Sequence, residues 1–207
     1  MTYSKSTLWH PFTQHGIAPD SIAIDHAKGA YLYDKDGKRI IDAISSWWVI
    51  THGHCNPTIV EAVQKQVATL DYAPGFQMGH PLSFALAARL SSMLPDPLGH
   101  VFFTNSGSEA ADTALKIALA YHNSMGQSSK TILIGRSRGY HGVGFGGLSV
   151  GGMAPNKKQF GTLLGNVDHL PHTHSLEHNA FSRGQPDWGA VRADELEELV
   201  ALHGADN

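Results

Sequence analysis

Three scarcities in this sequence narrow the classes of protein to which it can belong. It has one cysteine, Cys55, so no disulfide can form within the chain. No apolar run approaches the ~20 residues that span a membrane, and the residues before Leu8 lack the charged-then-apolar layout of a secretory signal. Together these features predict a reducing, cytoplasmic setting.

Charge is also sparse. Charged residues make up 16% of the chain, and the net charge is -3 with neutral histidines. Nucleic acids and anionic membranes are bound by concentrated basic surfaces, so we expect neither as a partner. The 42% of hydrophobic residues is typical of a globular protein, and 207 residues are enough for a packed core.

The first part of the chain predicts an irregular arm, a hairpin and two helices. Residues 1–20 lack a regular pattern, whereas residues 21–24 and 30–33 alternate as short strands do. A turn over residues 34–37 predicts a hairpin across residues 30–43. Pro57 and Pro81 each suit the first position of a helix, and apolar residues follow both at helical spacing.

The second part predicts a parallel α/β unit. An apolar run at residues 101–103 predicts a buried strand, followed by a helix to about His122 and a second strand at 131–134. Residues 135–190 predict mostly loop with a helix near 143–149, and residues 193–202 predict a final helix. Because an α/β fold normally continues into another strand, we expect the chain to be truncated.

The turn before the long helix has the form of a capping box, from Ser106 to Glu109. Gly107 and Ser108 then occupy helical positions whose backbone amides lack intrahelical acceptors. With the positive end of the helix dipole, these amides predict a phosphate site, although a plain helix cap is the alternative. The P-loop lysine and the dinucleotide-binding glycine pattern are both absent.

A second turn, residues 138–142, carries Tyr140 between glycines and follows the strand predicted at 131–134. Ligands of open α/β sheets lie beyond the carboxyl ends of the strands, so Tyr140 is expected near Ser108. A phosphate site beside an aromatic ring suits a phosphorylated aromatic cofactor. Stacking on Tyr140 would contribute about 0.5–1.5 kcal/mol. The alternative is a structural tyrosine in a glycine-flanked turn.

These two motifs together resemble the class III aminotransferases, which have fold type I and use pyridoxal 5'-phosphate (PLP). The motifs are residues 105–110 (Asn-Ser-Gly-Ser-Glu-Ala) and 139–142 (Gly-Tyr-His-Gly). From about residue 67 onward the chain resembles ω-amino acid:pyruvate (β-alanine:pyruvate) aminotransferases. Residues 1–57 are more similar to the 7,8-diaminopelargonate (adenosylmethionine-8-amino-7-oxononanoate) aminotransferases of biotin biosynthesis, notably at 8–13 and 42–48.

The resemblance implies an α/β fold, namely the N-terminal portion of the fold-type I PLP-dependent transferase fold. Residues 1–57 would form an N-terminal arm and small-domain segment, and residues 58–207 an incomplete large PLP-binding domain. The implied cofactor-binding residues are Ser106, Gly107, Ser108, Tyr140 and His141. The implied substrate-binding residues are Trp47, Phe12 and Phe76, with Phe76 acting across a dimer. Core packing is the alternative for Phe12 and Phe76.

The family's chemistry also needs a lysine that forms a Schiff base with the cofactor. None of the nine lysines lies in a matching context, because that motif and the aspartate that binds the pyridine nitrogen would come after residue 207. We therefore expect no catalytic residue in this chain and no transamination by it alone. The parent is expected to be a homodimer or higher homo-oligomer that uses an amino donor and a keto acid.

Other hypotheses remain open at this point. Three imidazoles, His169, His172 and His174, could bind a metal, but we favour structural or pocket-lining roles because the family that this loop resembles needs no metal. The chain could be a truncated, non-catalytic subunit. Among enzymes, the biotin-pathway aminotransferase is the runner-up, and an aminomutase or racemase on the same fold is a further alternative.

Overall fold

A computed structural model describes residues 7–207, so the first six residues of the predicted arm, including Lys5, lie outside the described part. Residues 7–20 contain no helix or strand, as predicted. The chain divides into two compact units, one ending at Arg89 and one running from Leu90 to Asn207. The domain division after residue 57 stays a prediction.

The first unit contains a three-stranded antiparallel sheet of β1 (Ile24–Lys28), β2 (Tyr31–Asp34) and β3 (Arg39–Ile41). The predicted hairpin is confirmed: β2 pairs with β3, and Asp34 Oδ1 accepts the Lys38 amide at 2.8 Å to close the turn. The first strand begins at Ile24 rather than at residue 21, because its pairing with β2 sets its limits.

Helices α1 (Ser45–Trp48), α2 (Pro57–Thr69) and α3 (Pro81–Ser91) follow the sheet. Asn56 caps α2 by accepting the Thr58 amide at 3.1 Å, and Pro57 occupies the first turn, where no amide hydrogen is needed. The predicted starts of α2 and α3 are therefore confirmed. The short α1 was not predicted, and its backbone is unusual.

The second unit contains α4 (Gly107–Ser124), β4 (Leu133–Arg136), α5 (Phe145–Val150), α6 (Ala154–Lys157), β5 (Val167–Leu170) and α7 (Trp188–His203). Strands β4 and β5 are parallel, with Leu133 opposite Val167. His203 Nε2 lies 2.9 Å from Asp168 Oδ2, which ties α7 to β5. The predicted helices near 143–149 and 193–202 are confirmed as α5 and α7.

The prediction of a buried strand at residues 101–103 is wrong for this chain. No strand includes these residues, and the exposed fractions of Phe102 and Phe103 are 71% and 48%. A strand needs a hydrogen-bonded neighbour, and the described residues supply none there. The parallel pair is instead β4 and β5, and β5 lies in the region predicted to be mostly loop.

Glycines allow α5 to pack directly against its neighbours. A Cβ atom on Gly135 would overlap the Val150 carbonyl, one on Gly147 the His141 carbonyl, and one on Gly152 the Arg136 carbonyl. Val150 is the buried hydrophobic residue of the described chain. The loop before α5 is therefore held by backbone-to-backbone contact. None of the described helices is long and apolar enough to cross a membrane.

Candidate functional site

The N-terminus of α4 begins as the sequence predicts, with Ser106 as the capping residue. Its Oγ accepts the Glu109 amide at 3.1 Å. The reciprocal bond differs from the expected capping box: Glu109 Oε2 accepts the Asn105 amide at 2.9 Å, rather than that of Ser106. The Asn105 side-chain nitrogen contacts the same carboxylate oxygen at 3.2 Å, and this second donor favours the shifted arrangement.

The next two amides are open to a ligand. The backbone N–H groups of Gly107 and Ser108 meet no acceptor among residues 7–207. A Cβ atom added to Gly107 would have no atom of a more distant residue within 4 Å, so no other part of the chain crowds this residue. Because α4 is 18 residues long, its dipole adds positive potential here. The arrangement can accept an anion such as a phosphate.

The two predicted cofactor-binding turns meet in the structure. The Val143 amide donates to Ser108 Oγ at 3.0 Å. Gly142 has a φ of 101°, and a Cβ atom there would lie 2.6 Å from Ser108 Cα. Because Ser108 Oγ accepts from the loop, its own hydrogen stays available for an anion. The structure thus brings together Ser108 and the turn that carries Tyr140 and His141.

Tyr140 lies in a turn whose backbone is fixed while its side chain is exposed. The Gly139 amide donates to the Arg136 carbonyl at 2.9 Å, and the Gly152 amide donates to the Gly139 carbonyl at 2.8 Å. The exposed fraction of Tyr140 is 55%, and His141 is exposed as well. The ring is therefore accessible to a ligand in this chain.

The three predicted substrate-binding residues lie in the first unit, and the predicted cofactor-binding residues lie in the second. Trp47, Phe12 and Phe76 are exposed by 73%, 77% and 89%. Their role at a substrate pocket stays a prediction.

One polar cluster was missed in the sequence. Asp42 accepts three hydrogen bonds: from the Ser46 amide at 2.9 Å, the Ser46 hydroxyl at 2.8 Å and His54 Nε2 at 2.8 Å. Together these hydrogen bonds lower the pKa of Asp42 to about 2, and the bond from the Ser46 amide has the largest effect. The spacing of Asp42, Ser46 and His54 carries no recognised motif, so sequence alone gave no signal.

The metal hypothesis gains no support. His169 Nε2 lies 2.8 Å from the Gly151 carbonyl and 3.2 Å from Lys157 Nζ, so a backbone oxygen and an amine surround it. Burial lowers the pKa of that Lys157 amine. Across residues 7–207, no group of three or more His, Cys, Asp or Glu side chains is arranged to bind a metal ion.

Three features together define a class of protein: the open helix start that can accept an anion, the glycine-flanked tyrosine and the parallel strands. Comparison with known protein families identifies that class. The class III aminotransferase family model matches residues 13–206. The chain belongs to the class III aminotransferase family, and the family prediction made from residues 105–110 and 139–142 is confirmed.

Among curated proteins, the chain is 53% identical over 201 residues to the omega-aminotransferase of Caulobacter vibrioides, covering 97% of this chain and 46% of that protein. It is 50% identical to the beta-alanine–pyruvate aminotransferase of Pseudomonas aeruginosa, covering 96% and 44%. The adenosylmethionine-8-amino-7-oxononanoate aminotransferase of Synechococcus elongatus is 42% identical, with 98% and 45% covered. The chain spans about half the length of these relatives.

Solved structures agree with the predicted fold. The omega transaminase of Pseudomonas jessenii in complex with PMP (pyridoxamine phosphate) has a TM-score of 0.87 and 31% identity, covering 98% of this chain and 45% of that one. A thermostable omega transaminase with a tryptophan-to-glycine change, engineered for synthesis of bulky amines, has the same TM-score and identity and is covered to 46%. The chain therefore has the N-terminal portion of the fold-type I transaminase fold, as predicted.

Proposed function

We propose that the whole protein is a PLP-dependent aminotransferase that transfers the amino group of an ω-amino acid or amine, such as β-alanine, to pyruvate. The observation that carries the proposal is the open anion site at Gly107 and Ser108, in contact with the Tyr140 turn. Two of the relatives most similar to this chain are named for ω-amino or β-alanine–pyruvate transfer.

The residues of the site fit the cofactor. The amides of Gly107 and Ser108 and the Ser108 hydroxyl would hold the phosphate, with Ser106 fixing the helix start. Tyr140 would stack on the pyridine ring, and His141 would lie beside it. The bound cofactor supplies an electron sink for the carbon that bears the amino group. This chain's residues bind and orient it.

The first unit would supply the substrate side of the site through Trp47, Phe12 and Phe76. A similar omega transaminase with a tryptophan-to-glycine change was engineered for synthesis of bulky amines, which suggests a role for a pocket tryptophan in limiting the size of the amine. Trp47 is our candidate for the same role. The parent would act as a cytoplasmic homodimer or higher homo-oligomer, with Phe76 serving the neighbouring subunit.

Transamination would need the lysine that the family places later in its sequence. The 207-residue chain alone should therefore bind the cofactor weakly and turn over no substrate. The test is a titration of this chain with PMP, which has no aldehyde and cannot attach to stray lysines. Pyridoxamine, the same ring without phosphate, is the matched probe.

We expect PMP to bind clearly more tightly than pyridoxamine, and Ser108→Ala to remove most of that difference. Tyr140→Ala should weaken both probes, because both contain the ring. Equal binding of the two probes, or Ser108→Ala without effect, would contradict the assigned phosphate site. Measured conversion of β-alanine and pyruvate by the purified 207-residue chain would contradict the missing-lysine argument.

The biotin-pathway aminotransferase remains the second candidate, supported by a 42% identical relative. The two activities differ in both substrates. A gene product that extends beyond residue 207 should form alanine from β-alanine and pyruvate under our proposal. Amino transfer from S-adenosylmethionine to 8-amino-7-oxononanoate, without alanine formation, would establish the alternative.

A further inference from the structure

The turn that carries Trp47 has a backbone that its sequence does not favour. The four residues of α1, Ser45 to Trp48, have φ angles of 49°, 47°, 61° and 66°. This left-handed conformation is natural for glycine and costly for residues with a Cβ atom, and a run of four non-glycine residues is rare. Other contacts must therefore hold the turn in place.

Asp42 provides those contacts. Its carboxylate accepts both the amide and the hydroxyl of Ser46, and its carbonyl accepts the Ser45 amide at 3.3 Å. Both carboxylate oxygens of Asp42 and its backbone carbonyl thus contact the first half of the turn. The Asp42 side chain is only 5% exposed, so water competes little for these bonds.

His54 fixes Asp42 in turn. Its Nε2 lies 2.8 Å from Asp42 Oδ2, and its side chain is 12% exposed. The backbone of His54 is also anchored, because it exchanges hydrogen bonds of 3.0 and 2.8 Å with Gly29, which lies between β1 and β2. A chain of contacts therefore runs from the β1–β2 connection through His54 and Asp42 to the turn.

We propose that Asp42 and His54 are positioning residues that hold the left-handed turn and thereby fix the direction in which Trp47 stands. The inference rests on the proposed function for its purpose, since Trp47 is the predicted substrate-size residue. Its geometry stands independently: Trp47 and Trp48 are 73% and 76% exposed, yet their rings meet edge-to-face at 5.9 Å and 89°. Neither ring is held by burial.

The test is ¹⁹F NMR of the 207-residue chain labelled with 5-fluorotryptophan. The chain has four tryptophans, and each resonance is assigned by a Trp→Phe variant. Trp47 and Trp48 report the turn, whereas Trp9 reports the rest of the first unit and Trp188, in α7, reports the second unit. We expect Asp42→Ala to merge the Trp47 and Trp48 signals toward the unfolded position and to leave the Trp9 and Trp188 signals unchanged.

Four further variants separate positioning from a general loss of stability. His54→Gln keeps a donor near the Nε2 position and should preserve the two signals, whereas His54→Phe should not. Asp36→Ala, at an exposed acidic residue of the hairpin turn, is the matched control and should change nothing. Adding Ser45→Gly and Ser46→Gly to Asp42→Ala should restore much of the signal separation, because glycine adopts this turn without support.

Unchanged Trp47 and Trp48 signals in a folded Asp42→Ala chain would overturn the proposal, as would failure of the glycine pair to restore them. If Asp42→Ala also moves the Trp188 signal, the comparison of His54→Gln with His54→Phe decides. Equal spectra of these two variants would refute the proposal. Loss of the separate Trp47 and Trp48 signals only in His54→Phe would support it. Because this readout needs no cofactor or substrate, its failure is distinct from failure of the proposed function.

Discussion

Replacing Gly107 by alanine separates a glycine needed for a ligand from one needed for the fold. A Cβ atom at residue 107 meets no chain atom within 4 Å. Glycine inside a helix is less stable than alanine by roughly 0.5–1 kcal/mol, so Gly107→Ala should leave stability unchanged or slightly raised. Urea unfolding of the chain measures this part of the prediction.

The ligand should respond in the opposite direction. If the phosphate approaches the Gly107 and Ser108 amides, the added methyl group displaces it from at least one charge-assisted hydrogen bond. Such a bond contributes about 1.5–3 kcal/mol, which corresponds to roughly 10- to 150-fold weaker binding. Isothermal titration with PMP measures the loss, and pyridoxamine binding should change little.

Gly189→Ala is the matched control, because Gly189 also lies in the first turn of a helix, α7, and also has nothing within 4 Å of its Cβ position. It should give the same small effect on stability and no effect on PMP affinity. Unchanged PMP affinity in a folded Gly107→Ala chain would refute a phosphate at the start of α4. Equal losses in both variants would show that the effect is not local.

Changes at three other sites give separate expectations, one of them with a matched control. Gly142→Ala places a Cβ atom 2.6 Å from Ser108 Cα at a φ of 101°. It should therefore lower the free energy of unfolding, measured in urea, by about 2–5 kcal/mol. The matched control, Gly126→Ala, has a φ of 75° and open space around its Cβ position, so it should cost only about 1–2 kcal/mol. Ser106→Ala removes the acceptor of the Glu109 amide and should cost about 0.5–2 kcal/mol, with a loss outside this range contradicting a simple cap. The folded-state pKa of Asp42 is about 2, below its ordinary 3.8. Its contribution to stability should therefore be complete above pH 3.8 and be lost as the pH falls through 2. The stability of Asp42→Asn should lack this loss in acid unfolding, and an acid profile identical to that of the unmodified chain would contradict the role given to Asp42.

Local signals in the sequence predicted the helix starts well. Asn56 and Pro57 at α2, and Ser106 at α4, act within a few residues of themselves, so their chemistry is visible in the sequence. The hairpin after β2 was predictable for the same reason. The acceptor role of Glu109 was shifted by one residue, because Asn105 supplies an additional donor.

Features that depend on distant partners were not predictable. Residues 101–103 have the composition of a strand, but strand formation needs a neighbour that local pattern does not provide. Strand β5 was missed because its four residues include Asp168 and His169, and its pairing with β4 decides its conformation. The left-handed turn at Ser45–Trp48 contains no glycine, so the usual sequence sign of such a turn is missing.

The candidate site likewise combines features that local sequence predicts with features that only the folded chain shows. The predicted donors and ring come from two short motifs, and the family prediction drawn from those motifs is confirmed. The contact between Gly142 and Ser108 joins positions more than 30 residues apart, so only the folded chain shows it. The support of the Trp47 turn by Asp42 and His54 is likewise a tertiary feature.

The close packing around α5 has a practical consequence for anyone who diversifies this protein. At Gly135, Gly147 and Gly152 even a methyl group would overlap a carbonyl, so a saturation library should return almost only the parental codon at those positions. Gly107 should accept many codons when selection is for expression and few when it is for binding of PMP. Comparing the two selections would distinguish glycines that the fold requires from glycines that ligand binding requires, without any purified protein.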